Sequence, residues 1–200
     1  MTRATFVLLI PAPRDELCLD FANTLSWRGS EQPTESLRNI GDLLDWLGAR
    51  SGMPPALIDR ACERAASALF TAAVELREAL YEIFSAAAAN RPAEDTDLVL
   101  LNRLLAAAPQ RTHVLANDVG YGWAIEAPAA SLPMLLAPVL WSAADMLTRP
   151  GLHRVRRCAN DQCLWLFLDQ SKAGTRRWCD MSSCGNRAKS RRHYLKTKAS

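Results

Sequence analysis

The 200-residue sequence lacks the features of several large protein classes. Its longest apolar candidate for a membrane span, residues 131–147, is interrupted by Pro133, Pro138 and Asp145, so we expect no membrane contact. The counts of 9 Gly and 11 Pro are ordinary and exclude collagen-like or disordered chains. The short apolar stretch at residues 1–10 has no small-residue cleavage site after it, as a secretory signal would. We therefore expect a cytoplasmic globular protein with reduced thiols.

The sequence also lacks the motifs of common enzyme classes. It contains no glycine-rich phosphate loop, no His-Glu-x-x-His motif and no Gly-x-Ser-x-Gly motif. Its three histidines, His113, His153 and His193, are far apart, and Cys18 and Cys62 lie far from the other cysteines. Isolated histidines are usually structural, and isolated cysteines usually behave as small buried apolar residues. We therefore expect a protein that is not an enzyme.

Lysine is absent from the first 150 residues, and this absence belongs to a wider division of charge. Residues 1–150 contain 12 Arg and 18 acidic residues and carry a net charge of −6, whereas residues 151–200 carry +9. Such a difference suggests a separate basic module that meets a polyanion, although a solvated cationic tail has the same composition. Pro150 and Gly151 make a helix hard to continue, so we predict domains at 1–150 and 151–200.

Apolar periodicity predicts a mainly α (α+β) fold. Helical spacing of apolar residues covers residues 15–27, 36–47, 54–84, 97–107 and 131–148. Residues 111–127 change to the pattern of a short β-hairpin. We therefore expect a helical N-terminal domain with one hairpin, followed by a small basic module.

One polar patch stands out in the first predicted helix. Asp20, Asn23, Thr24 and Trp27 are three or four residues apart and would share one helical face. Asp and Asn are unfavourable inside a helix unless their side chains find partners. Two interpretations follow, a structural tie to a neighbouring loop or a pocket for a small polar ligand.

Four cysteines are concentrated in the basic module, as Cys158-x4-Cys163 and Cys179-x4-Cys184. Two matching pairs of thiolates on tight loops supply the tetrahedral ligand set that zinc prefers. A 50-residue segment with few aliphatic residues cannot bury much core, and a structural metal supplies the missing folding free energy. The expected cytoplasmic location argues against disulfides. We predict one structural Zn²⁺ held by these four cysteines, in a zinc finger that ends in a basic helix.

Cationic residues surround the second cysteine pair. The residues that we expect to contact nucleic acid are Arg176, Arg177, Arg187, Lys189, Arg191 and Arg192. The last four of them lie on a helix predicted from residue 184 to 194, where they would reach phosphates on both sides of a groove. DNA is the expected partner, but the same finger could bind RNA, with Trp165 and Trp178 stacking on bases, or dock an acidic protein. An enzyme is disfavoured because four thiolates leave zinc no open position for water.

The motif residues resemble two known families. Cys184-Gly185-Asn186-Arg187 and the residues from Cys158 to Arg191 resemble the CGNR zinc finger. Residues 17–24 and 42–47 resemble the ABATE domain of stress-induced bacterial transcription regulators. The resemblance implies that the four cysteines bind zinc and that the protein is a DNA-binding regulator. The N-terminal domain would then sense a small-molecule effector, form a homodimer or recruit a partner.

Overall fold

The computed structural model describes residues 7–53, 55, 58, 66–118, 120–126 and 131–198, without the side chains of residues 66, 67, 126, 191–193, 195, 196 and 198. Helices dominate this part of the chain, which confirms the mainly α prediction. The helices are α1 (Leu17–Ala22), α2 (Ile40–Arg50), α3 (Ala66–Ala88), α4 (Asp95–Ala107), α5 (Leu132–Leu135), α6 (Ala137–Thr148) and α7 (Asn186–Lys198). None of these described helices is long and apolar enough to span a membrane.

Three small antiparallel sheets complete the fold. Their strands are β1 (Val7–Ile10), β2 (Leu25–Ser26), β3 (Thr34–Glu35), β4 (His113–Asn117), β5 (Gly120–Glu126), β6 (Val155–Arg157) and β7 (Leu166–Leu168). The predicted hairpin is confirmed as β4 and β5, and β1 adds a third strand beside β5. The two other sheets pair β2 with β3 and β6 with β7.

The main core forms around the short helix α1, which packs against α3 and α6. Leu17, Leu19 and Phe21 are fully buried there, because the helix is enclosed by its neighbours. Cys18 is buried as well, as expected of a small apolar residue, and burial raises the pKa of its thiol to about 12. Cys62, for which we made the same prediction, lies outside the described residues.

Several predicted helices differ in extent from the observed ones. The helix predicted for residues 36–47 runs from Ile40 to Arg50, with Asn39 as its N-cap. The helix predicted for residues 15–27 ends at Ala22, and the chain turns into β2 and reaches Trp27 with a φ of 56°. The helix predicted for residues 131–148 is divided into α5 and α6 at Leu136. Pro138 has no N–H to donate to the preceding turn, which interrupts the helical hydrogen bonds at this point. Within the helix predicted for residues 54–84, the structure describes positions 55 and 58 and, from residue 66 onward, α3.

The basic segment packs directly on the helical domain. Val155 on β6 and Leu166 on β7 are buried in the same hydrophobic cluster as Phe21 of α1. Gly151, with a φ of 107°, adopts the left-handed conformation where the two segments join, which glycine reaches without steric cost. The finger is therefore held by the core of the helical domain and does not project from it as a tail.

Candidate metal centre and basic surface

The four clustered cysteines bring their Sγ atoms together. All four atoms lie within 4.8 Å of one another, with 3.7 Å between Cys163 and Cys179 and 3.8 Å between Cys179 and Cys184. Four sulfurs at 2.3 Å from a tetrahedral zinc ion are about 3.8 Å apart. None of the four forms a disulfide. The centre therefore fits one structural zinc ion, as the spacing predicted.

The first cysteine pair is shaped by backbone hydrogen bonds. Cys158 follows β6, and its N–H donates to the carbonyl of Trp165 at 2.8 Å. The carbonyl of Asn160 accepts from the N–H groups of Cys163 (3.0 Å) and Leu164 (3.2 Å). This tight turn, completed by the φ of 56° at Leu164, points both sulfurs to the same side.

The second pair is shaped by Asp180. Its carboxylate accepts hydrogen bonds from the hydroxyl of Ser182 and from the N–H groups of Ser182 (3.2 Å) and Ser183 (2.9 Å). These bonds, that of the Ser182 side chain above all, lower its pKa to about 2. The residues Met181–Gly185 form a wide helical turn before α7. The sequence predicted a basic helix that begins at Cys184, but because of this turn the helix begins at Asn186. Cys184 and Cys179 converge because this turn lies between them.

Three of the clustered thiols, those of Cys158, Cys163 and Cys179, shift one another's pKa values through hydrogen bonds. The pKa of Cys158 is held far below its usual value because Cys163 and Cys179 donate hydrogen bonds to its sulfur. The pKa of Cys163 is raised to about 12 because that hydrogen bond favours its protonated form. A zinc ion attracts all four sulfurs as thiolates, so its binding releases the protons that remain on the cluster.

An aromatic shell surrounds the centre, and part of it comes from the helical domain. The side chains packed around the cysteines are Phe167, Trp165, Trp178 and Trp27. The guanidinium of Arg187, at the start of α7, lies 4.7 Å from the centroid of the Trp27 ring. Trp27 therefore contacts both the cysteine cluster and the basic helix, a role that the sequence did not reveal.

Two further contacts hold the finger on the helical domain. The N–H of Gly29 donates to the carbonyl of Gln162 at 3.1 Å. The hydroxyl of Tyr81, on α3, donates to the carbonyl of Leu164 at 3.0 Å. Both acceptors lie in the turn between Cys158 and β7, so the helical domain directly supports the first cysteine pair.

A chain of ion pairs supports this junction from the side of the helical domain. Arg77 is almost fully buried and binds Glu35 and Glu78, each at 2.7 Å. Glu78 also binds Arg28 at 2.6 Å, and Arg28 lies 3.8 Å from the centroid of the Tyr81 ring. Burial by itself raises the pKa of Glu78, but the hydrogen bonds and charges of Arg28 and Arg77 outweigh it and leave the pKa lowered.

The polar patch Asp20, Asn23, Thr24 and Trp27 does not share a helical face, because α1 ends at Ala22. Asn23 is buried and exchanges two hydrogen bonds with the backbone of Leu166. The hydroxyl of Thr24 donates to the backbone of α1 at 2.8 Å, and Asp20 forms an ion pair at 2.7 Å. The structural tie is thus present at Asn23, while a ligand site at these residues stays a prediction.

The cationic residues predicted to contact nucleic acid differ in their surroundings. Arg176 donates to the carbonyls of Trp178 and Cys179, which braces the second cysteine pair. Arg177 lies 5.3 Å from the centroid of the Trp178 ring. Lys189 is exposed on α7. The helix also carries Arg191 and Arg192, whose side chains are not described.

The helical domain and the finger differ in how many of their cations form ion pairs. Six arginines of the helical domain pair with carboxylates, namely Arg14, Arg28, Arg38, Arg77, Arg111 and Arg149. The side-chain cations described in the finger form no ion pair with a described carboxylate, and they are Arg154, Arg156, Arg157, Lys172, Arg176, Arg177, Arg187 and Lys189. The positive charge of the finger is thus not neutralised by these carboxylates.

Comparison with protein-family models gives two matches. Residues 15–150 match the ABATE family, whose description is "Putative stress-induced transcription regulator". Residues 154–197 match the CGNR zinc finger and include all four cysteines of the metal centre. No curated protein matches the chain. The two family matches confirm the resemblances that the motif residues carried.

Proposed function

Since the chain belongs to the ABATE family and carries a CGNR zinc finger, we propose that it is a transcription regulator that binds DNA through this finger. The observation that carries the proposal is the ion-pair distribution. The described cations of the finger have no carboxylate partner among the described residues, whereas most of those in the helical domain do. Cations without carboxylate partners gain most from DNA phosphates, whose neutralisation releases bound counterions.

In this proposal α7 is the main contact element. Arg187 and Arg191 are four residues apart on one side of the helix, and Lys189 and Arg192 are three apart on another. Arg177 adds a cation from the loop before the second cysteine pair. These groups bind phosphates and set the orientation of the finger, and one or two arginines read guanine edges. The negative charge of the helical domain keeps that domain away from the duplex.

The test is DNA binding by the zinc-loaded full-length protein at several salt concentrations. If each of these five cations neutralises one phosphate, log affinity falls with log salt at a slope of about −4.5. The double variant Lys189→Ala/Arg192→Ala should reduce that slope by about 2. Arg103→Ala serves as the control, because Arg103 is an exposed arginine on α4 that forms no ion pair with the described residues.

Three results would contradict the proposal. These are a slope near zero, an unchanged slope in the double variant, and tighter binding of structured RNA than of duplex DNA at equal salt. Cys179→Ser provides an independent check, since loss of a zinc ligand should abolish binding together with the metal. Binding that survives in the metal-free variant would separate DNA recognition from the finger.

We also propose that the zinc is structural, that the protein is not an enzyme, and that it acts in the reducing cytoplasm. Four thiolates complete the tetrahedron and leave no position for a reacting water. Reduced thiols persist in the cytoplasm. X-ray absorption at the zinc edge should give four sulfur neighbours, and three sulfurs with one exchangeable oxygen would contradict the structural role.

A further inference from the structure

A cleft of about 580 Å³ lies between the C-terminal end of α3 and the finger. Ala88, at the end of this helix, and Ala89, just after it, line one side of the cleft, and Leu164 continues this apolar wall. Arg157 and Arg177 line the opposite side. Volumes of about 300–1,000 Å³ are typical of small-molecule sites, and such sites often lie where two domains meet.

The cleft is strongly cationic. Asp161 is the carboxylate among its lining residues, against four arginines. The guanidinium of Arg176 donates to backbone carbonyls, whereas the side chains of Arg157 and Arg177 form no hydrogen bond or ion pair with the described residues. Arg156 donates from one Nη to the carbonyl of Gly174 at 3.1 Å, and its buried Nε has no hydrogen-bond partner among them.

A buried donor without a partner is rare in folded proteins, and it calls for an acceptor beside it. Arginine guanidinium groups bind phosphate oxygens through paired, charge-assisted hydrogen bonds. A phosphate group alone would leave the apolar wall formed by Ala88, Ala89 and Leu164 without a contact. This wall suits the carbon-rich part of a larger ligand.

We propose that this cleft binds a small organic phosphate of nucleotide size. Its phosphate contacts Arg157 and Arg177 and accepts a hydrogen bond from Arg156. Its apolar part lies against the wall formed by Ala88, Ala89 and Leu164. The cleft would then be the effector site of the proposed regulator, at the junction of the helical domain and the finger. Its role in regulation rests on the proposed function. Binding of the ligand itself does not require DNA.

The test is calorimetric titration of the zinc-loaded full-length protein at low salt with adenosine diphosphate. Pyrophosphate and adenosine are the matched probes for its two halves. We expect one saturable site for adenosine diphosphate, weaker binding of pyrophosphate and no binding of adenosine. Arg157→Ala should weaken adenosine diphosphate binding by about tenfold or more, the value of one charge-assisted hydrogen bond.

The controls separate a site from general charge attraction. Arg103→Ala lies on α4, and Lys189→Ala lies on α7 outside the cleft lining, so neither should change the affinity. Zinc content and circular dichroism should match the wild type in all variants. An equal loss of affinity in Lys189→Ala, an unchanged affinity in Arg157→Ala, or no saturable binding would overturn the proposal.

The DNA titration distinguishes this inference from the proposed function. A protein that binds DNA but neither adenosine diphosphate nor pyrophosphate overturns the phosphate site and leaves DNA recognition intact. A protein that binds adenosine diphosphate through Arg157 but shows no salt-dependent DNA binding supports the site and contradicts the proposed function.

Discussion

The side-chain amide of Asn23 and the backbone of Leu166 exchange two hydrogen bonds across 143 residues of sequence. The amide nitrogen donates to the Leu166 carbonyl at 2.8 Å, and the amide oxygen accepts from the Leu166 N–H at 3.0 Å. Asn23 follows α1 in the helical domain, and Leu166 begins β7 in the finger. Because Asn23 is buried, these bonds are shielded from water and join the two family-matched segments.

Asn23→Ala should lower the free energy of unfolding by about 2–4 kcal/mol, because both backbone groups of Leu166 lose their partner in a buried position. Urea denaturation of the zinc-loaded protein measures the change. Asn102→Ala is the matched control, since Asn102 is exposed on α4, and it should leave stability within about 0.5 kcal/mol. Equal stability of the two variants would show that the amide bonds contribute little.

The sequence predicted the metal centre well and the junction poorly. The four cysteines were identifiable because their spacing reflects local ligand geometry. Asn23 was noticed as an unusual polar residue, but nothing near it in sequence could indicate that Leu166 is its partner. Trp27 was assigned to a helical face, whereas the chain leaves the helix at Ala22 and turns this ring towards the cysteines.

Short strands were missed for a related physical reason. Val7–Ile10 and Val155–Arg157 are too short to show a periodic pattern. The partner of the first, β5, also lies more than 100 residues along the chain. The burial of Arg77 could not be predicted from the sequence either. An arginine on an amphipathic helix is normally exposed, and its burial depends on Glu35, which comes from another element.

The ion pairs of Glu78 should make the free energy of unfolding depend on pH. Its folded-state pKa is lowered by Arg28 and Arg77, so its contribution is fully present above the unfolded pKa of about 4.3 and is lost as pH falls through the lowered folded value. Glu78→Gln should therefore be less stable than the wild type at pH 7, and the difference should shrink below about pH 4. Denaturant unfolding at pH 7 and in acid measures it.

Comparing variants at each pH removes the effect of acid on the zinc thiolates, because both proteins share it. Glu82→Gln is the control, since Glu82 is exposed on the same helix and has no ion pair with the described residues. A difference between Glu78→Gln and the wild type that stays constant from pH 7 into acid would contradict the role assigned to the Arg28 and Arg77 charges.

Trp27 should slow the loss of zinc. Its ring covers the cysteine cluster and stacks beneath Arg187, so its removal admits water and chelator to the sulfurs. Trp27→Ala should release zinc to a colorimetric chelator about tenfold faster than the wild type. Trp27→Phe should recover part of the protection. Tyr121→Ala, at an aromatic residue that is 77% exposed in β5, should release zinc at the wild-type rate.

Gly29 tests how closely the helical domain approaches the finger. A Cβ at this position would overlap the carbonyl oxygen of Asp161, and backbone cannot yield as a flexible side chain does. Gly29→Ala should therefore displace the loop, weaken the hydrogen bond to Gln162 and cost about 1–3 kcal/mol of stability. It should also speed zinc release, because the same turn carries Cys163.

Ser30→Ala is the control for this variant. The hydroxyl of Ser30 is buried without a partner among the described residues, so its removal should cost almost nothing. Thermal unfolding and chelator competition on both variants would separate the two positions. If Gly29→Ala unfolds and releases zinc like Ser30→Ala, the contact between Gly29 and the Asp161 backbone does not support the metal centre. A loss confined to Gly29→Ala shows that the helical domain itself holds the first cysteine pair in place.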